Sequence, residues 1–375
     1  MKILFDPQVF LWQKTGGVSR FCAELYYQLK KNNQNKIVFP VFFCENLHLK
    51  ELGTAPNFLN CFFKFNLTNR IIGKYKFLVN RFLINGLLRL NKYDIYFQSY
   101  YETYFLDAIG EIPFVVTIHD MIHELYPIES TNYLVTNKKL LIENSTRIIV
   151  VSNNTKKDIL RIYPSVAEDK IDVVYLAHSI KRTLSNINSF NLPEKYLLFV
   201  GGRGGYKNFN FFINATSNWL LENNFSLICL GGGNFNQEEL LLIHQLGLSK
   251  ITFQITCSDN ELFIYYSKAF AFVFPSIYEG FGIPILESMA CGCPVVLPFA
   301  SSFPEIAGDA GIYFELDSQS SLVEKLDLLK NDHRFLETKQ QQGILQSKKF
   351  SWEKTANGCE EVFKKAILQN KVKVS

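Results

Sequence analysis

Two acidic side chains bracket a glycine-rich turn. Glu279 precedes Gly280-Phe281-Gly282, and Glu287 lies inside the helix that the turn opens. A carboxylate accepts hydrogen bonds through both oxygens, which suits the vicinal diol of a sugar or a ribose. The amides of Phe281, Gly282 and Ile283 stand at the start of that helix, where N–H groups lack partners and the helix end is positive. Such a terminus is ready for phosphate or sugar oxygens. Pro284 in the first turn forfeits no helical bond. Upstream, Gly201-Gly202-Arg203-Gly204-Gly205-Tyr206-Lys207 puts two cations on a loop that four glycines keep open. Arginine can fork onto phosphate oxygens, and lysine meets them as a point charge. An earlier pair, Gly16-Gly17, follows the first strand and would let backbone approach a phosphate. His119 closes the apolar run Val115-Val116-Thr117-Ile118, so its ring is expected at the C-terminal end of a buried strand, with Asp120 beside it. Open α/β sheets place ligand chemistry at that edge. Each feature also has an ordinary reading. A Glu pair can serve a helix dipole and solvent, glycines can be loose turns, loop cations can be solvated, and a lone histidine is usually structural.

Context changes those readings. Glu279-Gly280-Phe281-Gly282-x-Pro284-x-Leu286-Glu287, followed by Met289-Ala290-x-Gly292-x-Pro294-Val295, closely resembles the donor-sugar signature of the retaining glycosyltransferase family numbered four. Thr117-Ile118-His119-Asp120-Met121-Ile122, with Pro127 downstream, resembles the family's N-domain segment. The resemblance spans nearly the whole chain, is strongest from Leu198 to Pro298 and is weakest from Lys50 to Lys92. It implies a nucleotide diphosphate sugar as donor. Arg203 and Lys207 would neutralise the leaving diphosphate. Glu279 would hold sugar hydroxyls and Glu287 the ribose diol, and His119 would contact the donor sugar at the reaction centre. The donor site would also include Gly16, Gly17, Gly280, Phe281, Gly282 and Ile283, with backbone near Cys257 framing the base. The family retains anomeric configuration by same-face attack, with no metal and no other cofactor. Consistent with that, no Asp-x-Asp pair occurs in the chain.

The elements that must position these residues follow from pattern. Apolar runs of strand length alternate with helical segments in both halves, and each half opens with a strand and a Gly-Gly turn. That alternation predicts an α/β chain of two Rossmann-like doubly wound domains. The family's GT-B architecture, implied by the resemblance, would face them across a cleft. The expected division is an acceptor-side domain over 1–180, a linker over 181–194, a nucleotide-sugar domain over 195–350, and a final helix over 351–375 crossing back to the first domain. The chain has 375 residues, 47% of them hydrophobic and 20% charged, which supports two filled cores and argues against disorder. Its net charge of +4 does not by itself imply nucleic acid, and nucleic-acid binding is not expected. Eight cysteines without CxxC spacing read as free thiols in a reducing cytosol.

From Leu52 to Tyr93 there is no Asp or Glu, while Lys64, Arg70, Lys74, Lys76, Arg81, Arg89 and Lys92 alternate with Phe62, Phe63, Phe65, Tyr75, Phe77, Leu78 and Phe82. That composition suits either a helix on an anionic membrane surface through 58–92 or an amphipathic helix packed on the sheet. The expected function is transfer of a hexose, with GDP-mannose first among donors, to a glycan or lipid-linked oligosaccharide in bacterial O-antigen or capsule synthesis. The enzyme would be cytoplasmic, at the inner face of the plasma membrane if the basic segment binds there. The competing readings are a nucleotide-sugar 2-epimerase of the same fold and a non-catalytic nucleotide-sugar-binding subunit.

Overall fold

The computed structural model describes residues 1–41, 44, 46–54, 69–127, 129–182 and 192–374. The linker residues 183–191, and the basic stretch 55–68 with Phe62, Phe63, Lys64 and Phe65, lie outside the described residues. The chain forms two compact units. One comprises Met1–Leu176 with Trp352–Ser375, and the other is Ala177–Ser351.

Among the described residues, unit 1 holds a six-stranded sheet of β1 (Lys2–Phe5), β2 (Lys36–Val38), β3 (Ile95–Gln98), β4 (Phe114–Ile118), β5 (Arg147–Val150) and β6 (Ile171–Val173). The order is β2-β1-β3-β4-β5-β6, and every pairing is parallel. Parallel strands are joined by crossovers that cover both faces, so the strands read as continuous apolar runs. β4 shows this, with Phe114-Val115-Val116-Thr117-Ile118 buried throughout. β2 is shorter than the run Ile37 to Phe43 suggests, and residues 42 and 43 lie outside the described residues. The terminal helix Trp352–Val374 packs within unit 1. Phe363 meets Phe97 at 5.5 Å between ring centroids, and Glu360 accepts from Asn32 and Asn35 at 3.1 Å.

Unit 2 repeats the plan. Its sheet, again six-stranded among the described residues, contains β7 (Tyr196–Val200), β8 (Ser226–Leu230), β9 (Thr252–Ile255), β10 (Ala271–Val273), β11 (Val295–Pro298) and β12 (Ile312–Phe314), in the order β12-β11-β10-β7-β8-β9. All pairings are parallel. Its core stacks Phe199, Phe209 and Phe212 under the sheet, with the Phe199 and Phe209 centroids 5.1 Å apart. Winding reverses between β1 and β3 in unit 1, and between β7 and β10 in unit 2. In doubly wound sheets ligands bind outside the strand ends at such reversals. Both Gly-rich cation and carboxylate loops of unit 2 leave at its reversal.

Candidate active site

The loop leaving β7 runs through Gly201–Gly205 into a 3-10 turn at Gly205–Lys207 and the helix Phe209–Asn223. The loop leaving β10 carries Glu279. A backbone bond from the Ile277 amide to the Tyr206 carbonyl, 2.8 Å, ties the two loops together. That tie brings together two residues far apart in sequence: Lys207 Nζ lies 2.5 Å from Glu279 Oε1, with both side chains partly open to solvent. The rings of Tyr206 and Phe274 lie 5.1 and 5.7 Å from the same ammonium.

Behind Glu279, the loop after β11 clamps the turn. The Glu279 amide donates to Ser301 Oγ at 3.0 Å. The Ser301 and Ser302 hydroxyls donate to the Glu279 carbonyl at 2.7 and 3.0 Å, and Ser302 also donates to the Phe281 carbonyl at 3.1 Å. Gly282 sits at φ +92°, where a Cβ would come 2.8 Å from Ile285 Cδ1, so glycine is required there. The helix then starts at Ile283, with Pro284 in its first turn. Gly280 and Phe281 are buried and Ile283 is half-buried.

Glu287, one turn into this helix, accepts from the Tyr266 hydroxyl at 3.2 Å. Cys257 lies close enough to feel the Glu287 charge. Burial pushes that thiol up to about 12, with the charges of Glu261 and Glu287 adding to it. Cys257 is therefore a neutral thiol at physiological pH.

Arg203 is differently placed. Its guanidinium turns inward and forks onto Glu239, with Nε to Oε1 at 2.9 Å and Nη2 to Oε2 at 3.2 Å. Its other donors go to the carbonyls of Gly231, Gly233 and Asn234 at 3.1, 3.0 and 2.9 Å. Gly231, Gly232 and Gly233 all have φ near +70°, which curls their carbonyls around the cation. A Cβ on Gly232 would lie 2.5 Å from the Gly201 carbonyl. No contact joins Arg203 to Glu279 among the described residues. The chain thus places Lys207 with Glu279 and, separately, Arg203 with Glu239. Glu239 escaped sequence reasoning, although Asn236-x-x-Glu239 is a legible capping box whose two reciprocal bonds are both 2.8 Å. Ser301 and Ser302 carried no comparable signal.

The unit 1 residues sit at the same kind of edge. Gly16, at φ +149°, precedes the helix Gly17–Lys31, and both glycines are exposed. The Gly16 amide donates to His48 Nε2 at 3.3 Å. Burial, with the Arg20 charge nearby, lowers His48 to about 4, so this imidazole stays neutral and able to accept. His119 follows β4, is 7% exposed, and meets the Phe21 ring edge-on at 5.3 Å. Its Nε2 is buried without a hydrogen-bond partner among the described residues. Burial lowers this imidazole to about 4, the Lys138 ammonium helping and Asp120 opposing. A buried, unpartnered ring nitrogen beside a strand terminus is free to accept a ligand hydroxyl. Lys138 is wholly buried and pairs with Glu124 at 2.6 Å, with the Asp120 carbonyl at 3.1 Å. Among the described residues the seven cysteines form no disulfide.

Each unit is thus a doubly wound parallel sheet, and the reversal of unit 2 gathers a cation, a carboxylate and a glycine-started helix. Residues 180–368 match the family Glycosyl transferases group 1, and residues 15–182 match Glycosyltransferase Family 4. The chain belongs to the group 1 glycosyl transferases. It is 25% identical over 374 residues to O-antigen chain mannosyltransferase B of Escherichia coli, covering 94% of this chain and 97% of that one. It is 32% identical over 209 residues to O-antigen chain mannosyltransferase RfbU of Salmonella typhimurium, 55% of this chain and 58% of the relative. In fold it resembles HepE of Anabaena in complex with UDP-glucose, with a TM-score of 0.74, 17% identity and coverage of 96% and 98%. It also resembles a glycosyltransferase from Rickettsia africae, with a TM-score of 0.70, 17% identity and coverage of 97% and 98%.

Two outcomes follow from the buried groups. Arg203→Ala strands Glu239 and the carbonyls of Gly231, Gly233 and Asn234, and should cost roughly 3–5 kcal/mol of stability in ligand-free protein. Urea denaturation of the substrate-free variant measures this, and wild-type stability would contradict the inward role. For His119 the folded state holds the neutral form, so its contribution is complete above the unfolded value of 6.5 and is lost as pH falls toward 4. Between pH 7 and 5, wild-type protein should lose about 2 kcal/mol more than His119→Gln. Equal losses in both proteins would show that His119 does not carry the shift.

Proposed function

We propose that this protein transfers a mannose-type hexose, with retention, from a nucleotide diphosphate sugar to a glycan or lipid-linked oligosaccharide during synthesis of a bacterial surface polysaccharide. The observation that carries the reading is the Lys207–Glu279 pair at the winding reversal of unit 2. The chemistry of the donor fits that pair. A diphosphate competes with Glu279 for the Lys207 ammonium, and a carboxylate released from its cation can accept sugar hydroxyls. Amides at the start of the helix Ile283–Ala290 add donors for phosphate or sugar oxygens. In this reading Glu287 holds the ribose diol, and Arg203 keeps the Gly231–Asn234 turn in shape for the nucleotide.

In the step itself, the bond from sugar C1 to the β-phosphate oxygen breaks while the acceptor oxygen bonds C1 on the same face. The acceptor proton passes to the departing phosphate. Charge builds on that phosphate as the bond opens, so a fixed cation there lowers the barrier. Lys207 supplies it in this scheme, and no metal is called on. Preference for mannose and for an O-antigen type acceptor rests on the named activities of the E. coli and Salmonella relatives. A sugar-nucleotide 2-epimerase would need acid and base groups on the sugar ring, and a non-catalytic subunit would not need the Lys207–Glu279 arrangement.

The same reading proposes membrane contact through the helix Asn69–Arg89. Tyr75, Leu78 and Phe82 are 63%, 53% and 80% exposed and fall on one helical stripe, with Arg81 and Arg89 alongside. Exposed aromatics flanked by cations suit an anionic leaflet. Among the described residues, no helix is long and apolar enough to cross a membrane.

Lys207→Met should lower kcat by roughly 10²–10³ while thermal stabilisation by GDP-mannose falls much less. An unchanged kcat would remove Lys207 from the leaving-group role, and no stabilisation of wild-type protein by GDP-mannose or UDP-hexoses would remove the donor class. In flotation with anionic vesicles, wild-type protein should rise with the lipid at low salt, and Phe82→Glu with Leu78→Glu should remain below. Flotation of both proteins alike would exclude this helix as the contact.

A further inference from the structure

The winding reversal of unit 1 holds a pocket that the donor chemistry does not use. Resting on the transferase reading above, we propose that Trp12, Tyr100, Glu102 and Tyr133, with Val9 and Gln13, form a pyranose-binding pocket for a neutral sugar of the acceptor glycan. The cavity measures about 120 Å³, too small for a nucleotide, so a sugar would rest on its rim with part of the ring in solvent.

Its walls come from separate elements gathered at one edge. Val9 and Trp12 lie on the helix Gln8–Trp12 after β1, and Tyr100 and Glu102 lie on the loop after β3. Tyr133 lies on the helix Asn132–Asn144, which comes after β4. The reversal between β1 and β3 is where a doubly wound sheet opens a crevice.

The lining is chemically specific. Trp12 and Tyr133 are 60% and 54% exposed although both are large aromatics. Aromatic faces shelter the C–H side of a pyranose, while their N–H and O–H groups bond its hydroxyls. The Trp12 indole N–H, the Tyr100 and Tyr133 hydroxyls and the Glu102 carboxylate have no hydrogen-bond partner among the described residues. Among the described residues Glu102 is the charged group of the lining, with the Arg81 guanidinium near enough to oppose the effect of burial on its carboxyl. A carboxylate repels a diphosphate and accepts from sugar hydroxyls, so the lining selects a neutral sugar over a nucleotide.

The loop is also held in shape from beneath. Gln98 Nε2 donates to the carbonyls of Tyr100 and Glu102 at 2.7 and 3.0 Å, and to Gln8 Oε1 at 3.2 Å. Asp6, fully buried at the end of β1, accepts from Ser99 Oγ at 2.6 Å and from Tyr96 at 3.1 Å, and also from the Tyr104 hydroxyl. These bonds join the ends of β1 and β3, so the ring-binding side chains stand on a preformed base.

Trp12 makes the pocket observable, because the other two tryptophans, Trp219 and Trp352, are buried at 4% and 7% exposure. Full-length protein titrated with methyl α-mannopyranoside and with a mannose disaccharide should show a saturable change in tryptophan emission, while glycerol gives none. Trp12→Phe should abolish the change, and Glu102→Gln should raise the half-saturating concentration roughly tenfold. Stabilisation by GDP-mannose, measured in parallel, reads the transferase assignment alone and should persist in both variants. No saturable change in wild-type protein that GDP-mannose still stabilises would overturn the pocket and leave the donor site standing. A change that survives in Trp12→Phe would also overturn it.

Discussion

Where a parallel sheet reverses its winding, the loops leaving two adjacent strands turn in opposite directions and leave a crevice that the fold does not fill. This chain meets that constraint in each unit, between β1 and β3 and between β7 and β10. Lys207 with Glu279, and Trp12 with Tyr100 and Glu102, gather at those two places. In unit 2 the reversal collects Lys207 and Glu279 from loops whose strands pair side by side. In unit 1 it collects Trp12, Tyr100 and Glu102, with Asp6 and Ser99 bonded beneath them. The local sequence then decides what each crevice can hold: a cation beside a helix terminus in one, aromatics beside a carboxylate in the other.

The glycines of unit 2 serve this arrangement in a way that composition alone does not reveal. Four glycines around Arg203 suggest a space cleared for phosphate. In the fold, Gly232 must be glycine because Gly201 and Arg203 themselves crowd it. Three consecutive left-handed residues aim backbone carbonyls at a guanidinium. A guanidinium has a fixed fan of donors, and here the fan is met by one carboxylate and the turn. The same residue type that could grip a phosphate instead holds the ends of β7 and β8 in register with each other.

Legibility followed the range of the interactions involved. The strand-turn-helix from Phe274 to Pro298 could be read almost directly, because it is organised by near neighbours: Gly282 for a positive φ, Pro284 for the first turn, and an apolar strand on either side. Alternating strands and helices, with a Gly-Gly turn after the first strand of each half, likewise gave the doubly wound class. The pairing of Arg203 could not be read the same way, since its partner lies on another helix and only the Asn236-x-x-Glu239 cap hinted that Glu239 was engaged. Trp12, Tyr100 and Tyr133 were silent for a stronger reason. They come from two helices and a loop far apart in sequence, and an exposed aromatic has no period or spacing that marks it. The basic stretch after Leu52 showed its helical spacing from Asn69 onward, and its aromatic start at residues 62–65 lies outside the described residues.

The two ion pairs of unit 2 differ in what it costs to break them, and that difference assigns their work. Arg203 is 3% exposed in its side chain and Glu239 is 11% exposed. Parting two such charges leaves each buried without a counterion, at a cost of several kcal/mol. In the ligand-free chain this pair therefore holds the Gly231–Asn234 turn in shape. Lys207 and Glu279 are 22% and 13% exposed. A partly hydrated pair of this kind contributes on the order of 1 kcal/mol, and water can attend either charge as they part. A diphosphate offers Lys207 more negative charge than a carboxylate does. In the proposed reaction, exchanging Glu279 for it keeps the ammonium neutralised, and the freed carboxylate accepts sugar hydroxyls in place of its cation. On that proposal the Lys207–Glu279 pair is the one weak enough to yield to a donor.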